Sequence, residues 1–516
     1  MGNAPRRYMW KDSQEISLTD EQCRQYLSGS CGKCFCGSGA TNRREHLRLY
    51  HGQITSKWIE EQKAENFVDC EYHARPKKCS KKNISRCRKE AMANYVKRVQ
   101  RYVEEAINRL ETKVSSLDPE TREHADAEEM LGYLRSAEYG HPISYSQYKQ
   151  KIRKKLPNEF LFCTREEAKD ILSRGPPKMP IIIPCPPMTV ERSQRLSRFQ
   201  KEIKEVIGAK MWVDIYDSGK KDLPRVPEKM AGREALRRFE STDESPVNSL
   251  NNPIPQGMAE SHWMAKITGY NMAEKLVKQA QEENLNLGNF LLALIVLLLA
   301  STDAITLRHV DKAAETTCIE SIMGSKLWEL SSDRSKEAVR NFGEKGTCSS
   351  GTFVLSVDEG DTLIQPPQTI HSVYTRKKSM LLCDQYLDSR TMLSTLEQTL
   401  LELQYDNITN DDHHEGLLHY LDKAMEKWKE DARLGKQEPW PDAKHLEEAE
   451  DIMGKIRRHK ETSSRIAISN AQRKVNVPKT KTGQAGVVRR GAYRVGKTIR
   501  KQQVRKTRSS GTMQWT

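Results

Sequence analysis

Residues 306–311 read TLRHVD and lie just past the apolar run FLLALIVLLLA (290–300), and residues 359–373 read EGDTLIQPPQTIHSV. One residue separates His309 from Asp311. In a strand, positions i and i+2 project to the same face, so both side chains can point into a cavity while Val310 packs outward. His371, at the start of a later strand, supplies a second imidazole. Two histidines and one carboxylate leave three coordination positions open, a set that suits non-haem Fe(II). The simpler alternative is a helix end or loop that happens to hold both polar residues. The apolar run has eleven residues, against the roughly 20 that a helix needs to cross a bilayer. It reads as a buried wall of the same cavity.

The surrounding residues favour a β-rich core. Between about 260 and 385 the chain carries TTCIESI, KLWEL, TFVLSV, TLIQ, HSVY and SMLLC. Short strands at this close spacing predict a sandwich or small barrel rather than βαβ units. DEGD (358–361) forms a turn between TFVLSV and TLIQ, and a proline pair ends the latter.

In order, TLRHVD, GSKLW (324–328) and GDTLIQPPQTIH (360–371) resemble the Jumonji C (JmjC) domain of the cupin class. There an H-x-D/E pair is followed by G-x-K-x-W and then by G-D-x4-P-x4-H. The resemblance spans about a quarter of the chain, roughly 260–385. It implies an α+β protein whose JmjC domain, 258–388, is a double-stranded β-helix (cupin or jelly roll) with helical flanks. It further implies an Fe(II)- and 2-oxoglutarate-dependent dioxygenase, with His309, Asp311 and His371 as catalytic iron ligands. Lys326 and Thr306 match positions that bind the distal carboxylate of 2-oxoglutarate; otherwise they are a solvated strand lysine and a strand-edge threonine. Cys318 falls near a further cosubstrate position. The activity so implied is histone lysine demethylation or protein hydroxylation. The family's assisting aromatic and Asn positions are not evident.

Composition limits the rest. With 516 residues, 36% of them hydrophobic, the chain can build two or three domains. MGNAPRRYMW lacks an apolar signal core, and Arg6 stands where a myristoylation pattern has Ser or Thr. Seven of the twelve cysteines lie at or before Cys87. Such a cluster mixed with histidines reads as metal binding in a reducing compartment. Cys31, Cys34, His46 and His51 have the C-x2-C-x11-H-x4-H spacing of a C2H2 or BED-type zinc finger over 23–52. Cys36 is an alternative ligand, and Arg43 stands where fingers bury a leucine. Cys70, His73, Cys79 and Cys87 offer a second Zn(II) set within the basic helical segment 53–110.

A helix is predicted over Glu90 to Val114. PPKMPIIIPCPPM (176–188) must run extended, and MTVERSQRLSRFQKEIKEVIG (188–208) is helical. STDESPVNSLNNPIPQG (241–257) reads as a boundary rich in turn formers. Region 111–257 is therefore expected to be helices and proline-rich linkers, and 389–454 to be helical. From Lys455 to Arg508 there are 18 Lys and Arg against Glu461 alone, so of the net +15 this segment carries +17 and the remainder 15 − 17 = −2. The tail 455–516 is expected to be disordered, to bind DNA or RNA by counterion release, and to direct the chain to the nucleus. The partners expected are chromatin and histones, with no membrane contact. The alternative is a non-catalytic zinc-finger nucleic-acid-binding or transcription regulatory protein in which the barrel is a scaffold. The triad alone separates the two.

Overall fold

The computed structural model describes residues 81–475, apart from 151–157, 186–189, 211, 218–226, 242–243, 253–262, 284–293, 349, 406, 411–415 and 437–438. The first half comprises α1 (Lys81–Ser116), α2 (Arg122–Ser136), β1 (Glu138–Tyr139), β2 (His141–Ser144), α3 (Tyr145–Tyr148), β3 (Glu159–Phe162) and α4 (Arg165–Arg174). It continues with β4 (Ile181–Ile183), α5 (Val190–Gly208), β5 (Val213–Asp217), β6 (Glu228–Met230), α6 (Gly232–Glu240) and β7 (Val247–Asn252). Then come α7 (Met272–Glu282), β8 (Ile295–Ala300), β9 (Ile305–His309), β10 (Thr316–Ser331), α8 (Lys336–Lys345), β11 (Thr352–Asp358), β12 (Thr362–Gln365) and β13 (His371–Tyr386). Three helices close the order: α9 (Met392–Gln404), α10 (Leu417–Arg433) and α11 (Leu446–Val475). The described residues thus form a mixed α+β protein, consistent with a jelly-roll-like fold, around one large and mostly antiparallel sheet.

Two long strands organise that sheet. TTCIESI and KLWEL fuse into β10, and HSVY and SMLLC into β13, each 16 residues long. The first half of β10 pairs with β12 and with the end of β13, which pairs in turn with β8. The second half of β10 pairs with β11 and with the start of β13, which pairs in turn with β9. The two strands therefore run through two four-stranded halves, β12-β10-β13-β8 and β11-β10-β13-β9, all antiparallel.

Register shifts between Ser321 and Lys326 mark where β10 turns from one half to the other. Gly324 makes this corner with φ +90°, and a Cβ there would lie 2.1 Å from the Lys378 carbonyl oxygen. Gly324→Ala is expected to destabilise the protein by about 3 kcal/mol or more, from left-handed strain and backbone collision together. Urea unfolding of the variant checks this.

The β11 half is covered by α1 and α2, whose Tyr95, Tyr102, Leu110, Met130 and Leu134 join Phe353, Leu355 and Val357 in one core. α1 therefore buries one face of the helix predicted over 90–114. The chain punctuates these helices as sequence rules prescribe: Thr164 and Glu167 form a reciprocal cap at the start of α4.

Region 111–257 departs from its expectation, because it contributes seven strands as well as helices. In PIIIP the prolines flank the three isoleucines, so β4 is free to pair with Thr362–Ile364 of β12 and is followed outward by β3 and β2. β7 forms from the turn-rich stretch itself, held between β5 and β8. Its polar side chains bond to neighbouring backbone: Asn252 Nδ2 donates to Leu297 O at 2.9 Å and Asn248 Nδ2 to Ile305 O at 3.1 Å. Tertiary pairing here overrides weak strand propensity.

α7, α9, α10 and α11 pack around Trp428 and Trp440, whose stacked rings lie 6.4 Å apart. α11 continues to Val475, past the boundary drawn at 454, and buries Ile456. The zinc-finger residues Cys31, Cys34, His46 and His51, together with Cys70, His73 and Cys79, lie outside the described residues, as does 476–516. Cys87 is buried in α1. No described helix is long and apolar enough to cross a membrane.

Candidate metal centre

His309 ends β9 and His371 begins β13, and the two are direct partners across the ladder. Asp311 lies two residues beyond His309, outside the strand and just before a 3-10 turn at Lys312–Ala314. His309 Nε2 is 3.9 Å and His371 Nε2 3.7 Å from Asp311 Oδ1, and the imidazole centroids are 4.2 Å apart. One potential ligand atom from each residue lies within 4.8 Å of the other two. The structure thus brings together the three residues singled out in the sequence.

Their remaining polar atoms are already engaged. His309 Nδ1 lies 2.9 Å from Leu307 O, and His371 Nδ1 lies 3.1 Å from Thr369 O. A carbonyl oxygen only accepts, so each Nδ1 carries the proton and each Nε2 keeps its lone pair for a metal. Asp311 Oδ2 accepts from Gln365 Nε2 at 2.8 Å and from the Thr317 hydroxyl, which leaves Oδ1 facing the imidazoles. Gln365 Nε2 also lies 3.2 Å from His371 Nδ1. The bond to Asp311 fixes the amide with nitrogen inward, and since that nitrogen cannot accept, a proton on His371 Nδ1 is donated to Thr369 O. Two buried imidazoles and a half-buried carboxylate form a set that could hold a divalent metal ion.

Lys326 lies on β10 opposite Thr375, and Leu330, four residues on, lies opposite His371. Same-strand residues four apart share a face, so Lys326 and His371 line one interior about 13 Å apart along the strand. The lysine is 3% exposed and makes no hydrogen bond or ion pair among the described residues. Burial pushes its ammonium down to about 7. Thr306 lies opposite Val373, on the same face, and accepts from Asn248 Nδ2 at 3.3 Å.

Cys318 does not face this interior. It lies opposite Asp384 and Ile364 and packs with Leu161, Ile181 and Tyr386 on the other side of the sheet. The interior thiol is Cys383, whose electrostatic neighbours include Asp311 and which itself acts on Lys326. Burial pushes both thiols well above their ordinary value. Asp361 of the GD pair anchors the turn that follows β11. Its Oδ1 accepts from Cys185 N at 2.7 Å and its Oδ2 from Arg98 Nη2 at 3.1 Å, which ties the β11–β12 turn to α1.

Behind the ligands, Arg308 Nη2 donates to Glu329 Oε1 at 2.6 Å and Arg308 Nε to Oε2 at 3.2 Å. The Ser372 hydroxyl donates to the same Oε2 at 2.9 Å. Arg308 also stacks on Tyr133, 3.8 Å from the ring centroid. This network joins β9, β10 and β13 at the residues next to His309 and His371. Thr317, Gln365 and Cys383 escaped sequence reasoning; for Gln365 the available signal was its place immediately before the motif proline.

No protein-family model matches the chain, and no curated protein matches it, so the chemistry of the site rests on its own geometry.

Proposed function

We propose that 258–388 is a double-stranded β-helix of the JmjC type and that the protein is an Fe(II)- and 2-oxoglutarate-dependent dioxygenase acting on protein, with histone methyl-lysine as the leading substrate class. The observation that carries this reading is the convergence of His309 Nε2, Asp311 Oδ1 and His371 Nε2 while every other polar atom of those side chains is engaged. The two four-stranded antiparallel halves that share β10 and β13 support this reading.

Bound iron and 2-oxoglutarate would supply the oxidising chemistry, in which decarboxylation to succinate accompanies hydroxylation of a substrate C–H bond. His309 and His371 would hold the metal through Nε2, and Asp311 would hold it through Oδ1 and offset its charge. Lys326 would bind the distal carboxylate of the cosubstrate as an ammonium, and Thr306, on the same face of the sheet, would donate its hydroxyl to it. The anaerobically purified protein supplied with Fe(II), 2-oxoglutarate and then O₂ should produce succinate, and His309→Ala should not. Equal succinate from both proteins would remove the metal assignment.

Residues 476–516 hold eleven Lys and Arg and no acidic residue. We propose that they bind a nucleic-acid polyanion in the nucleus and that Cys31, Cys34, His46 and His51 hold Zn(II). Each neutralised phosphate contributes about −0.9 to the slope of log K against log salt. Deleting 476–516 should therefore flatten the salt dependence of duplex DNA binding markedly, and an unchanged slope would place the binding surface elsewhere.

A further inference from the structure

We propose that α9 holds the metal-binding loop in its ligating conformation through Gln398 and Glu402, which makes both of them positioning residues for Asp311. The inference rests on the metal-centre reading above and goes beyond it, because it brings the C-terminal helices into the site.

Asp311 is held from two directions. From the sheet, Thr317 and Gln365 fix its carboxylate. From α9, Gln398 Nε2 donates to the Asp311 backbone oxygen at 2.6 Å and to Glu402 Oε1 at 2.6 Å. The same Glu402 oxygen accepts the backbone N–H of Ala313 at 2.9 Å. Gln398 is fully buried and Glu402 is 7% exposed. They stand one helical turn apart on a single face of α9 and act as one clamp.

The clamped loop is one the chain would otherwise avoid. Ala313 and Ala314 both have φ of +52°, a left-handed conformation that costs alanine energy and persists only where its surroundings impose it. This pair turns the chain from β9 into β10 immediately after Asp311. Val310 is tied on the other side, its N–H donating to Ile408 O at 2.8 Å. Without the clamp the alanines are free to relax toward right-handed geometry. Asp311 then loses its backbone anchor, and Oδ1 its fixed distance from the two imidazoles.

The test uses full-length apo-protein titrated with Co(II), followed by visible absorption and by calorimetry. The parent should bind one Co(II) per chain. Gln398→Met should remain folded and bind it roughly ten- to a hundredfold more weakly, the usual scale for losing a group that orients a metal ligand. Ala313→Gly added to Gln398→Met should recover much of that loss, because glycine adopts the left-handed conformation freely. A purely structural role for Gln398 predicts no such rescue. If Gln398→Met fails to fold, Glu402→Leu removes the Ala313 anchor instead and should show the same loss and the same rescue. A parent that binds no Co(II) would overturn the metal centre itself. A binding parent with an equally tight Gln398→Met, or a loss that glycine does not restore, would overturn the clamp alone.

Discussion

Lys326→Met is expected to raise the melting temperature and, in the same protein, to remove most of the affinity for 2-oxoglutarate. Lys326 is buried without an ion-pair partner among the described residues, and burial brings its ammonium from 10.5 down to about 7. A folded pKa below the unfolded one means that folding releases a proton. The resulting penalty is absent above the unfolded value, grows as pH falls from 10.5, and is complete below 7. A displacement of this size corresponds to about 5 kcal/mol. Methionine keeps a similar stem and removes the charge, so the variant should be more stable at pH 7 by a few kcal/mol, and the gap should narrow toward pH 10. A charge-assisted hydrogen bond to a carboxylate is worth roughly 1.5–3 kcal/mol, so cosubstrate affinity should fall about ten- to a hundredfold. Thermal melts at pH 7 and pH 9.5, with 2-oxoglutarate calorimetry on the Fe(II) protein, check both halves. A variant that melts lower and binds the cosubstrate normally would make Lys326 an ordinary strand residue.

Glu329→Gln should cost about 3–5 kcal/mol, the usual consequence of removing one partner from a buried ion pair. Glu329 is 1% exposed and accepts from Arg308 through both oxygens and from Ser372. Its loss leaves the Arg308 charge uncompensated beneath α2. Since Arg308 precedes His309 and Ser372 follows His371, the damage should extend to metal affinity. The paired replacement Arg308→Met with Glu329→Leu removes both charges and should recover most of the stability lost in Glu329→Gln. Urea unfolding of the three proteins measures this, and a Glu329→Gln variant as stable as its parent would show the pair to be screened by solvent.

The strands TFVLSV and TLIQ were legible from period-two spacing, and the convergence of His309, Asp311 and His371 from motif order, although Asp311 lies past the end of β9 rather than on a strand with His309. The fusion of KLWEL with TTCIESI was not. Gly324 reads as a turn in sequence, and only the pairing with Lys377 to Ser379 makes it a bulged corner. That bulge also decides which thiol faces the cavity, because a one-residue register shift exchanges the faces of a strand; hence Cys383 rather than Cys318. β7 is built from Asn and Ser, whose strand conformation comes from β5 and β8 rather than from propensity. Gln398 reaches Asp311 from 87 residues away along the chain. No spacing rule marks such a residue, since its partner is a backbone oxygen whose position depends on the whole fold.

The central claim is that two imidazoles and one carboxylate hold iron beside a 2-oxoglutarate site. Its most direct test is the visible spectrum of the anaerobic protein loaded with Fe(II) and 2-oxoglutarate. The parent should show the weak charge-transfer band of the chelated cosubstrate at one iron per chain, and His371→Ala should show none. A band of equal strength in His371→Ala, or its absence from a parent saturated with iron and cosubstrate, would contradict the assignment.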